Sequence, residues 1–324
     1  MNKLIFHIIL SCIYYVGLPI TTSLSQPNLY SSIGKGVNIV AQDSSMSLKF
    51  NARIQTLFYA TRVLDDASNI ESGVLIRRAR LKFGGFVFHP NVFYKLELGL
   101  SNKDIGSSGK TTDYHGIILD AVMKWKLGYG LEMWAGQTKL PGNRERVISS
   151  QNLQFVDRSF VNKMFNLDRD IGLQFRHHFT IGKFEVRELL SISAGEGKNI
   201  VANNKGGYDY TGRIEILPFG RFTSKGDYSS ADLERENFSK LALAITYDFN
   251  DDASREQGQL GDFLPETRDL QSIIADLMFK YKGLSLMGEY VYKDAKNPVL
   301  FDTSGARIGS FYIGQGINLQ TGYV

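Results

Sequence analysis

The chain has 324 residues, 43% hydrophobic and 22% charged, with 32 Gly, 21 Phe, 16 Tyr and 2 Trp against 7 Pro and 1 Cys. This aromatic content excludes a disordered or low-complexity chain, and a mean hydropathy of -0.16 excludes a bundle of several apolar helical spans. A membrane β-barrel is still allowed, because its strands alternate lipid-facing and lumen-facing residues and average out as weakly polar. The formal net charge of +4 is informative only if it is concentrated somewhere.

Residues 1–25 read as an export signal. Lys3 supplies the positive start, Leu4 to Leu18 the apolar stretch, and Ser23-Leu24-Ser25 the small-x-small cleavage site. Pro19 and the Thr/Ser run after it end the stretch too early for a transmembrane anchor, which needs ~20 apolar residues. Cys12 lies inside this segment, so the exported chain has no disulfide and depends on packing or sheet closure. Residues 26–45 are expected to form a periplasmic lead-in, and 46–324 a single barrel domain.

From Met46 onward, stretches of roughly ten residues alternate apolar and polar side chains, the period of a strand with one dry and one wet face. Leu48, Phe50, Ala52, Ile54 and Phe58 oppose Lys49, Asn51, Arg53 and Gln55. Ala79, Leu81, Phe83 and Val87 oppose Arg78, Arg80 and Lys82. Tyr94, Leu96, Leu98 and Leu100 oppose Lys95 and Glu97, and Ile117 to Leu127 at odd positions oppose Asp120, Lys124 and Lys126. Weaker versions follow near 131–139, 171–179, 184–194, 208–217, 240–249, 270–281, 284–293 and 311–324, making about twelve strands. Sandwich strands usually run to ~5–6 residues, whereas a tilted membrane crossing takes ~9–11, so these lengths favour a transmembrane antiparallel β-barrel.

The connections give a second signal. Tight links at His89-Pro90-Asn91, Gly128-Tyr129-Gly130, Thr180-Ile181-Gly182 and Lys282-Gly283 alternate with long polar ones at 60–73, 101–115, 140–169, 195–207, 250–269 and 294–307. Short turns on one rim and long loops on the other are the habit of outer-membrane barrels. Residues 218–239 break the rule, which leaves either a larger excursion on the short-turn rim or an unrecognised strand pair. The last residues, Ile317 to Val324, still alternate, so the chain ends inside a strand, and a truncated C-terminus is an expectation alongside closure with twelve strands.

Three stretches carry a resemblance to a known family. They are Ile76-Arg77-Arg78-Ala79-Arg80-Leu81-Lys82-Phe83-Gly84-Gly85, then Gly136-Gln137-Thr138-Lys139-Leu140-Pro141 with Arg144-Glu145, and Phe155-Val156-Asp157-Arg158-Ser159 followed by Asp168-Arg169-Asp170-Ile171-Gly172. From about Met46 to the end the chain resembles the phosphate-selective porin O and P family. The resemblance implies a bacterial outer-membrane barrel of about sixteen strands in a complete chain, commonly a homotrimer in lipid, that passes small anions such as phosphate by diffusion. The sequence departs from it in strand count and in ending on Val324 in place of an aromatic residue.

Hydropathy alone assigns the wet face, so the sign of its charge is an independent test. It carries fourteen basic against eight acidic residues. The expected channel lining is Arg53, Arg78, Arg80, Lys82, Lys95, Lys124, Lys126, Arg176 and Arg213. A positive lumen between low-dielectric walls raises the local anion concentration. Arg78, Arg80 and Lys82 would form a ladder ~13 Å long, suited to a hopping anion, unless acids such as Glu97 neutralise it. Segment 140–169 is expected to fold inward as a constriction loop, with Arg144, Arg146, Arg158 and Lys163 as its candidate residues; an ordinary external loop braced by its own ion pairs is the alternative.

Enzyme readings find little support. His177 and His178 point to opposite faces of a strand, and the sequence has no HExxH, nucleophile elbow or phosphate-binding loop. Asp251, Asp252, Asp262 and Glu266 lack EF-hand spacing and read as a solvated acidic loop, so neither metal nor cofactor is expected. The basic residues lack an aromatic stacking platform for nucleic acid. Two further readings stay open: a plugged structural or adhesive barrel that binds a partner through its long loops, and a lumen hydrolase working through paired carboxylates.

Overall fold

The computed structural model describes residues 28–32, 36–62, 70–101, 104, 116–200 and 204–324. The expected export signal and Cys12 lie outside them.

The strands are β1 (Asn28–Ser32), β2 (Gly36–Val40), β3 (Ser47–Arg62), β4 (Ile70–Val87), β5 (His89–Gly99), β6 (Ile118–Gly128) and β7 (Leu131–Lys139). After two short helices, α1 (Arg144–Val147) and α2 (Phe160–Phe165), come β8 (Arg169–Ile181), β9 (Phe184–Ser193), β10 (Asp209–Leu217), β11 (Lys240–Arg255), β12 (Phe263–Tyr281) and β13 (Leu284–Ala295). A small hairpin, β14 (Val299–Phe301) and β15 (Arg307–Ser310), precedes β16 (Gly314–Tyr323). Among the described residues, β1 to β13 and β16 form one fourteen-stranded sheet in chain order, each strand antiparallel to the next. All twelve expected strands are present. The difference in number comes from β1 and β2, which pair onto β3 and place two strands in the segment expected as a lead-in.

Turn chemistry fits this meander. Tyr129 and Gly130, and again Lys282 and Gly283, have positive φ at both central positions, the two-residue hairpin geometry whose twist matches that of the flanking strands. The long-loop side differs from expectation in two places. Segment 250–269 is mostly strand, because β11 and β12 run far past their neighbours and leave only 256–262 as a link. Segment 294–307 contains the start of the β14–β15 hairpin.

The outward positions are apolar and exposed, among them Ile54, Phe58, Val74, Leu190, Ile192, Ile245, Ile317 and Leu319. A continuous apolar exterior of this kind is a lipid-facing wall. The hydrophobic core lies on the concave side, between the inner faces of β11–β13 and segment 140–169. Ile148, Leu217, Phe222, Ala242, Met278 and Met287 form one cluster, and Leu140, Phe165, Leu167, Ile274 and Val291 another.

The sheet wraps around that segment. Ser150 accepts from Arg53 of β3 and Arg80 of β4, while Arg144 reaches Glu215 of β10 and Asp276 of β12. Gln154 donates to the Thr321 carbonyl of β16 at 2.5 Å. One loop can touch strands so far apart in the sheet order only if the sheet curls into a barrel wall around it. β16 lets the loop close in with small residues: a Cβ on Gly316 would come within 2.9 Å of Val161, and one on Gly322 within 2.6 Å of Gln154.

Candidate pore

Strand phase puts Arg53, Arg78, Arg80, Lys82, Lys95, Lys124, Lys126, Arg176 and Arg213 on the concave face, where their contacts differ. Arg80 pairs with Glu97 at 3.3 Å and with Asp104 at 2.6 Å. Glu97 also takes Lys82 at 3.5 Å and Lys95 at 3.2 Å, and Lys95 bonds Asp120 at 2.6 Å. Arg80 and Lys82 of the ladder are therefore largely neutralised by Glu97 on β5 and Asp104 just beyond it. Arg78 lies beneath the inward loop, donating to the Val156 carbonyl and Asp157, and Arg53 donates to Ser150 and Gln151.

Arg77 joins this group through a β-bulge. Gln55 faces Arg78 but Thr56 faces Ile76, so Arg77 is the extra residue, and both arginines turn inward to Asp157 with exposures of 7% and 5%. Strict alternation assigns Arg77 to the dry face, and only its run Arg77-Arg78 hints at the slip.

Segment 140–169 holds the four expected constriction residues in different settings. Arg144, 3% exposed, is clamped between Glu215 at 2.7 Å and Asp276 at 2.8 Å and does not border the open space. Burial opposes its charge, but these carboxylates outweigh it and raise its pKa. Arg213, expected as lining, is buried in the same cluster, bonded to Asp276 at 2.6 Å and to the Gly142 carbonyl at 3.0 Å. Arg158 braces the loop from within through the carbonyls of Glu145 and Ile148, where burial, then Arg146, pushes its pKa down to about 9. Arg146 pairs with Asp168, and Lys163 lies exposed above Phe160. A guanidinium in low dielectric is retained where carboxylates or carbonyls surround it, so Arg144 and Arg213 work as anchors and leave the open volume to other cations.

Residues 218–239 are an excursion on the short-turn rim and contain no strand. Their turn at Thr223–Tyr228 folds inward until Asp227 pairs with Arg187 and its carbonyl accepts from Arg144. Lys280 donates to the carbonyls of Gly226 at 2.8 Å and Ala231 at 2.6 Å. Asn152 bonds the Tyr228 carbonyl, and the Ser230 amide bonds the Asn152 carbonyl, so insertions from opposite rims meet inside the sheet.

Beside them remains a cavity of about 770 Å³ against the inner face of β4–β9. Eleven Lys or Arg residues and five Asp or Glu residues border it. Arg80, Lys82, Lys95, Lys124, Lys126 and Arg176 of the expected lining are among them; Arg53, Arg78 and Arg213 are covered by the loop. Lys139, Arg169, Arg187, Arg221 and Lys225 also border it. Arg187 was readable from strand phase, whereas Arg221 and Lys225 depend on the inward fold of 218–239. His177 and His178 both reach the edge of the cavity, where His177 also contacts Glu188 at 3.0 Å.

A family model described as phosphate-selective porin O and P matches residues 49–319. No curated protein matches the sequence. Among solved structures, the outer membrane channel DcaP of Acinetobacter baumannii is 12% identical with a TM-score of 0.39, covering 88% of this chain and 98% of its own. Outer-membrane expressed OmpT of Vibrio cholerae is 11% identical with a TM-score of 0.34, covering 91% and 86%.

Proposed function

We propose, given that the chain belongs to the phosphate-selective porin O and P family and is an outer-membrane porin, that it passes small anions through the space left along β4–β9. The observation that carries this reading is the cavity's border of eleven basic against five acidic residues. In a water-filled space walled by low dielectric, that excess favours anion entry, and several weak sites in succession favour onward movement.

Segment 140–169 narrows the path by occupying the other half of the concavity, and 218–239 narrows it from the opposite rim. Phosphate fits the reading as a small anion for guanidinium and ammonium groups, and a homotrimer in lipid is the assembly the family relationship supports. The test is single-channel recording in planar bilayers under a KCl gradient. A reversal potential showing chloride preference is expected. Cation preference would overturn the anion reading, and folded protein without conductance would favour a plugged barrel acting through its loops.

A further inference from the structure

Six of the eleven cations bordering the cavity form two sets. Arg80, Lys82 and Lys95 are held by Glu97, Asp104 and Asp120. Lys124, Lys126 and Arg176 form no ion pair among the described residues, and each lies on an aromatic ring. Lys124 Nζ is 3.4 Å from the centre of a Trp134 ring, and the Arg176 guanidinium is 3.8 Å from it. Lys126 Nζ is 4.7 Å from the Phe93 centroid.

Strand register builds this arrangement. Phe93, Lys124, Trp134 and Gln174 are consecutive partners across β5–β8, and Lys126, Glu132 and Arg176 form the adjoining row across β6–β8. Gln174 receives Arg176 at 2.9 Å, and Glu132 receives the Trp134 indole N–H at 2.9 Å, which ties the ring to its own strand. The result is a patch two residues deep in which positive charge and ring surface alternate.

Such a patch suits a particular class of anion. A free inorganic phosphate needs donors converging on all its oxygens to replace its water, and here Lys124, Lys126 and Arg176 each rest on a ring with apolar surface next to it. A carboxylate attached to a flat apolar body uses both components: its oxygens take the Lys and Arg donors, and its body replaces water along Phe93 and Trp134. The cavity volume of about 770 Å³ falls within the usual ligand-site range. We propose that the β5–β8 patch is a selectivity site for aromatic carboxylates. The proposal rests on the anion-porin reading and names its preferred solute class.

The test is block of chloride current through single channels in symmetric KCl by benzoate, acetate and inorganic phosphate. Benzoate is expected to interrupt the current at concentrations about tenfold below either of the others. Trp134→Leu and Phe93→Leu should each shrink that difference severalfold, whereas Trp125→Leu, on the outer face at 50% exposure, should leave it intact. Equal block by benzoate and acetate, tightest block by phosphate, or an undiminished benzoate preference in Trp134→Leu would overturn the proposal. If Trp134→Leu does not fold, as judged by heat-modifiable migration, Phe93→Leu decides by the same measurement. A wild-type channel lacking chloride preference in a KCl gradient would instead remove the underlying anion reading.

Discussion

The two halves of the concave face have the same alternating sequence pattern and opposite uses. Along β4–β9 the inward residues are mostly charged, are partly paired with acids on the neighbouring strands, and border open space. Along β10–β16 the inward set includes Ala242, Ile274, Met278, Met287 and Val291, packed under segment 140–169, with Arg213, Asp276 and Glu215 sealed beneath it. A wall position that faces inward is therefore not always wet. One half holds the loop in place by burial and enclosed ion pairs, and that anchoring leaves the other half free to face the solute.

This division can be broken first at its anchor. Arg144→Ala leaves Glu215 and Asp276 short of a buried partner and should cost about 3–5 kcal/mol in chemical unfolding, with a rise in single-channel conductance as the loop loosens. Unchanged stability and conductance would mean that the loop is held elsewhere. Ile274→Val removes one methyl group from the apolar contact beneath α2 and should cost about 1 kcal/mol by the same measurement, with no change of ion selectivity. On the opposite wall, Lys126→Glu should alter stability by no more than about 0.5 kcal/mol while moving the reversal potential towards cation preference. A stability loss as large as that of Arg144→Ala would erase the distinction between the walls. Lys126 is a cleaner probe of charge than Arg80, whose contacts with Glu97, Asp104 and Ser150 combine charge with structure.

Much of the fold was legible because a strand's side chains must alternate when one face meets lipid. Hydropathy alone placed Arg53, Arg80, Lys95 and Lys124 on the concave side and Ile54, Leu81 and Trp125 on the convex side. The Tyr129-Gly130 and Lys282-Gly283 turns were legible for an equally local reason, the positive φ of two-residue hairpins. Arg77 was not, because a bulge shifts the phase by one residue and leaves no reliable trace in composition. The roles of Arg144 and Arg213 were also hidden: a lining arginine and an anchoring one look alike until the carboxylates around them are located.

The sequence by itself determined a transmembrane barrel wall, the direction in which nearly every strand residue points, and an excess of positive charge on the concave side. These follow from backbone geometry and the contrast between lipid and water, which act residue by residue. Tertiary structure alone decided where the charge remains available. Contacts between residues such as Arg144 and Asp276, 132 positions apart, determine which cations are enclosed by the loop and which stay on the aromatic patch of β5–β8.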